Sequence, residues 1–178
     1  NFTSISDIPV ARELLLFVFF VFMDEVLFYF LHKHAHTPKM YNNWYFSHSM
    51  HHKFMVTSAW TSFYAHPLDH LIAVLGCAMV TPFFMMCVLK IDLSVPLVNA
   101  FLYGAIITFV GSHHAVIGPS PGKAYGSDHL THHQRFIVNY GNFGLFDSWA
   151  GTYRGRGKFF SSPMKLWRSY CKNSKYAS

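Results

Sequence analysis

Three long apolar stretches organise the chain. The first, residues 14–31 (LLLFVFFVFMDEVLFYFL), is interrupted only by Asp24 and Glu25; the second covers about residues 67–89 and the third about residues 96–117. Each approaches the roughly 20 residues that a helix needs to cross about 30 Å of hydrocarbon. A helix buried in a soluble core gives the same signal singly, but three such runs in one short chain predict membrane helices. Pro82 falls inside the second run and is expected to kink that helix without ending it. Beyond the third run, GPSPG at 118–122 and the turn-rich NYGNFG at 139–144 predict loops, because Pro and Gly break helices there.

The second and third runs form a hairpin through the short turn Lys90-Ile91-Asp92-Leu93-Ser94-Val95. Two crossings bring the chain back to the side on which the first run ends. Whatever follows residue 31 and whatever follows residue 117 should therefore emerge on one face.

Composition supports this picture. Of 178 residues, 12% are charged and 19% aromatic, a balance foreign to disordered chains and normal for membrane proteins. The net charge of +6 is uneven: after Asp147, the last acidic residue, come Arg154, Arg156, Lys158, Lys165, Arg168, Lys172 and Lys175. By the positive-inside rule this predicts a basic cytosolic tail over 161–178, and with it a cytosolic orientation for the shared face. No basic stripe accompanies a helix-turn-helix, RRM or finger pattern, so nucleic-acid binding is not supported. Cys77, Cys87 and Cys171 form no disulfide framework or CxxC site. The chain opens on Asn rather than Met, and upstream sequence is expected.

The chemistry lies in the histidines at the ends of the apolar runs. His32 and His36 are four apart and share a helix face; His34 points away from it. His48, His51 and His52 stand at i, i+3 and i+4, and His129, His132 and His133 repeat that spacing. Eight imidazoles in three face-sharing sets exceed what one tetrahedral ion uses, so two metals are the economical reading. Imidazole suits Fe, Zn, Cu and Ni alike and does not name the element. HExxH is absent, which removes the simplest metalloprotease reading. The expected fold class is all-α: an integral membrane helical bundle with a cytosolic histidine-rich dimetal cap, formed by residues 1–160.

Further candidates flank these sets. His113 and His114 end the third run, and either could supply an extra ligand. His66 and His70 flank Pro67, where a supporting or structural role is expected. Glu25 lies seven residues before His32 and eleven before His36, within one helical stripe, and is expected to accept the free ring N–H of a ligating histidine. Asp24 is turned off that stripe.

FYFLHKHAHTPKMY with its HxxxH pair, SHSMHHKF and HLTHH with their HxxHH boxes, SFYAHPLDH, and the ending NYGNFGLFDSWAGTYRG together resemble the fatty acid hydroxylase/sterol desaturase superfamily over residues 20–155. Lys33 stands where Arg is usual, Glu25 where Asp is common, and HHAVIGPSPGKAYG departs from the pattern of the methyl-sterol oxidases. The family's upstream helix is not seen. The resemblance implies a multi-pass enzyme of the endoplasmic reticulum membrane with a cytosol-facing, non-haem diiron centre. Its two Fe ions would be held by His32, His36, His48, His51, His52, His129, His132 and His133. It also implies O2 as oxidant, electrons from NAD(P)H through cytochrome b5 and its reductase, and a hydroxylated or desaturated lipid as product.

Sterols are the favoured substrate class: C4-methyl oxidation because of SFYAHPLDH, with C5 desaturation close behind and an acyl or sphingolipid hydroxylase third. A non-catalytic membrane zinc-binding protein is the rival from another class. No GxGxxG or HPGG sequence occurs, so the reductant must come from a partner, and the basic tail could dock acidic cytochrome b5.

Overall fold

The computed structural model describes residues 9–44, 47–113 and 127–155, and all regular structure among them is helical. The first apolar run belongs to α1, Val10–Ala35, which continues past residue 31 so that His32 lies within it and His36 caps it. Short helices follow, α2 (Pro38–Tyr41) and α3 (His48–His51), then a 3₁₀ turn, Ala59–Phe63. The second run differs from the single span expected over 67–89. It is helical from Pro67 to Cys87, but in three parts: α4 (Pro67–His70), a π-helical stretch (Leu71–Gly76) and α5 (Cys77–Cys87). The wider π turn interrupts the α-helical pattern before α5, while Pro82 is accommodated within α5 as expected. The third run forms α6, Val95–Ser112, and His113 caps it; the expected extension to 117 lies outside the described residues. The second HxxHH box lies on α7 (Ser127–Arg135), and α8 (Leu145–Ala150) closes the described chain. Residues 156–178, including the expected tail, and the GPSPG loop lie outside the description.

Helices α1, α5 and α6 pack against one another around Phe20, Ala78, Met85, Leu97 and Phe101, with Phe20 and Phe101 edge to face at 5.1 Å. This core is narrow. The outward faces of the same helices expose Leu15, Val18, Phe83, Tyr103 and Ile107, the reverse of a soluble amphipathic helix. Among the described residues, two helices, Val10–Ala35 and Val95–Ser112, are long and apolar enough to cross a membrane.

The hairpin geometry matches the crossing argument. Its turn lies at the start of α1: Arg12 donates to the Asp92 carbonyl, and Ser94 Oγ donates to Glu13. Ser94 also caps α6 by accepting from Leu97 N. His113 consequently returns to the end of the bundle where α1 delivers His32 and His36. Ser94→Ala removes both the cap and the tie to α1. It is expected to destabilise the bundle by about 1–2 kcal/mol, read as a lowered thermal midpoint of the detergent-solubilised protein.

Candidate metal centre

Nine histidines converge at that end of the bundle in two groups. His32, His36, His48, His52 and His132 form one, and His51, His113, His129 and His133 the other; within each group the candidate ligand atoms lie within 4.8 Å of one another. The eight box histidines are thus brought together, and His113 makes a ninth. His114 lies outside the described residues. His34 is exposed on the far side of α1. His66 accepts from Leu68 N and caps α4, a structural role.

The two HxxHH boxes divide in complementary fashion. From the first, the i and i+4 residues His48 and His52 join the five-histidine group, while the i+3 residue His51 joins the other. From the second, the i and i+4 residues His129 and His133 join the four-histidine group, while the i+3 residue His132 crosses over. Each box therefore serves both sites. The groups abut, with the His52 and His133 rings stacked at 4.3 Å.

Backbone carbonyls fix which nitrogen faces inward. The Nδ1–H groups of His32 and His132 donate to the carbonyls of Tyr140 and Val138, each at 2.6 Å. Those of His113 and His133 donate to Phe109 and Phe54, at 2.8 and 3.2 Å. A neutral ring that donates from Nδ1 keeps a lone pair on Nε2. His48 is set in the same way by a carboxylate, its Nδ1 lying 2.8 Å from Asp69 Oδ2. Such outer partners orient metal-ligating imidazoles and raise their basicity.

The inward nitrogens form a donor set that suits cations. His113 Nε2 lies 3.0 Å from both His51 Nε2 and His129 Nε2; His133 Nε2 is 3.1 Å from His129 Nε2, and His132 Nε2 3.1 Å from His52 Nε2. Nitrogens bound at about 2.0–2.1 Å on adjacent positions of one ion stand about 3 Å apart. The Nε2 atoms of His32, His36 and His48 are buried with no hydrogen-bond partner among the described residues. Burial, and after it the neighbouring imidazoles, push the pKa of His36 and His133 down to about 3 and hold His51, His52, His129 and His132 well below the usual histidine range. These six rings are therefore neutral at pH 7, with lone pairs available. Two all-imidazole sites side by side fit two metal ions.

Glu25 does not do what its helical stripe predicts. Among the described residues it reaches no histidine. Its carboxylate instead accepts the backbone N–H groups of Asn142, Phe143 and Leu145 at 2.8–3.1 Å and of Phe146 at 3.5 Å. Asp147 grips the same loop through Tyr140 N and Gly141 N, and Asp24 accepts from the Asn142 side chain. Along the helix the nearest donors to Glu25 are imidazoles, but the turn at 139–144 brings a row of backbone N–H groups to the same place. Glu25 still acts on the histidines, one step removed, because this loop presents the Tyr140 carbonyl to His32.

A cleft reaches both groups. His32 and His48 line it from one group and His51 and His129 from the other; Phe28, Ala65, Phe109, Asp69 and His70 complete it. Asp69 is the residue that sequence reasoning missed. Its signal was its place in AHPLDH, but nothing in a linear pattern pairs residue 69 with residue 48.

The chain belongs to the fatty acid hydroxylase family, whose profile matches residues 17–152 and so includes all nine histidines. It is 31% identical over 153 residues to fatty acid hydroxylase domain-containing protein 2 of Macaca fascicularis, covering 81% of this chain and 42% of that protein. Over 148 residues it is 29% identical to fatty acid hydroxylase ahd1 of Mycosarcoma maydis, covering 82% and 36%. Over 137 residues it is 28% identical to a Delta(7)-sterol 5(6)-desaturase of Leptosphaeria maculans, covering 76% and 36%. The chain thus spans about two-fifths of the length of these relatives. No solved structure matches it significantly. The family is the one its histidine boxes resemble.

Proposed function

We propose that this chain forms the core of a membrane-bound diiron lipid oxidase. The observation that carries the reading is the shared cleft: two groups of closely packed imidazoles open onto one cavity whose other walls include Phe28, Ala65 and Phe109. His32, His36, His48, His52 and His132 would hold one iron, and His51, His113, His129 and His133 the other. Iron bound there supplies O2 activation and the oxidising power that an unactivated C–H bond demands. The protein's own residues do the rest. The carbonyls hold the rings of His32, His113, His132 and His133 in the ligating tautomer and Asp69 holds that of His48, while Phe28 and Phe109 keep water away from the bound lipid.

The exposed apolar faces of α1, α5 and α6 meet lipid, the histidine end faces the cytosol at the endoplasmic reticulum, and cytochrome b5 delivers electrons from NAD(P)H. The substrate is a sterol. C4-methyl oxidation is the reaction suggested by the SFYAHPLDH element, and similarity to proteins named as sterol 5(6)-desaturases supports C5 desaturation as the second reading.

Elemental analysis of protein expressed with ample iron and purified in detergent tests the metal assignment. About two irons per chain are expected, as two imidazole sites require. One zinc and no iron, even after ferrous reconstitution, would replace the oxidase with a zinc-binding protein.

A further inference from the structure

One buried oxygen of a residue that lines the cleft is used neither by the histidine groups nor by the packing around them. Asp69 is 2% exposed and its Oδ2 is fixed on His48 Nδ1 at 2.8 Å, yet its Oδ1 has no hydrogen-bond partner among the described residues. The bond to His48 keeps the carboxylate from turning outward to water. An unmatched carboxylate oxygen in a buried, largely apolar site is costly, and a few placed polar groups are what orient a ligand in such a site. The adjacent His70, its ring against Phe63 and Phe109, also lines the cleft and leaves its buried Nδ1 without a partner among the described residues.

We propose that Asp69 Oδ1 is the polar end of the substrate cleft and accepts a hydrogen bond from a free hydroxyl on the lipid, placed within two or three bonds of the carbon that reacts. This rests on the lipid-oxidase reading above and narrows it. A carboxylate oxygen only accepts, so its partner must carry a donor: an alcohol satisfies it, while a ketone, ether or ester sets oxygen against oxygen. The limit on distance follows from His48. Asp69 holds its Nδ1, which leaves Nε2 as the ligating atom, so the hydroxyl and the metal site are separated by one imidazole ring. A chain methylene far from any hydroxyl does not meet that condition; a ring carbon beside a sterol hydroxyl does.

The test uses the metal-loaded chain in lipid nanodiscs under anaerobic conditions. Equilibrium binding is measured for a sterol with a free ring hydroxyl and for the ketone at the same position. The wild-type protein is expected to bind the alcohol at least about tenfold more tightly, as for a hydrogen bond to a charged acceptor. In Asp69→Asn the side-chain oxygen can still accept from His48, while the amide presents a donor to the cleft. The ketone then gains a partner, and the alcohol-to-ketone preference is expected to fall to about twofold or to invert. Because a weaker partner on His48 lowers metal affinity, the Asp69→Asn samples are loaded with ferrous iron until they carry two metals per chain, which places any change in preference in the cleft rather than at the ions. Equal affinity of the wild-type protein for alcohol and ketone would overturn the subsite and leave the lipid-oxidase reading standing. Failure of either sterol to bind while both metals are present would overturn the sterol reading and the subsite with it.

Discussion

His132→Ala is expected to leave one tightly held metal per chain instead of two and to abolish turnover. His132 is fully buried, lies 3.1 Å from His52 through Nε2, and donates to the Val138 carbonyl through Nδ1. Its removal takes one of five donors from the first group and strands a buried carbonyl. Perturbing an outer-shell partner of a metal ligand typically costs about ten- to a hundredfold in affinity, and loss of a ligand should exceed that. The division of the boxes sharpens the test. His129→Ala, three residues earlier on the same helix, strikes the other group, so each variant should lose a different ion. His34→Ala, on the exposed side of α1, should keep both. The readout is metal per chain together with a spectroscopic signature for each site. Retention of two metals and normal turnover in His132→Ala would refute the assignment.

Much of this centre is legible in one dimension because helices turn spacing into direction. The i, i+4 pair at His32 and His36 and the two HxxHH boxes are facts about helix faces, and the hairpin count is enough to bring them to one end of the bundle. The partition between metals is not legible. Whether His51 or His52 joins the five-histidine group depends on how the short helix α3, entered through Ser47 at φ 31°, is tilted against α7. Outer partners are harder still. Carbonyls carry no sequence signal, and Asp69 reaches His48 across 21 positions. The second apolar run shows the same limit, since hydropathy measures its length but not its π-helical stretch.

The loop at 138–147 should be the most sensitive part of the molecule outside the ligands. Glu25 is fully buried and is the acceptor for four backbone N–H groups; Gln in its place turns an amide donor toward some of them. Each buried N–H left without an acceptor costs about 1–3 kcal/mol, so Glu25→Gln is expected to destabilise the loop by several kcal/mol and Glu25→Ala by more. Gly141→Ala attacks the same contact from the other side. A Cβ there would stand 2.6 Å from Glu25 Oε1 and 3.1 Å from Asp147 Oδ2, against carboxylates already held in place. The damage should be directional. Val138 and Tyr140 present the carbonyls that orient His132 and His32, both in the five-histidine group, whereas His113 and His133 lean on Phe109 and Phe54 elsewhere in the fold. Under chelator challenge, Glu25→Gln and Gly141→Ala are therefore expected to release the five-histidine metal well before the four-histidine one. Simultaneous release of both would show that the loop supports the cap as a whole rather than orienting His32 and His132. Release at the wild-type rate would show that those two rings hold their orientation without it.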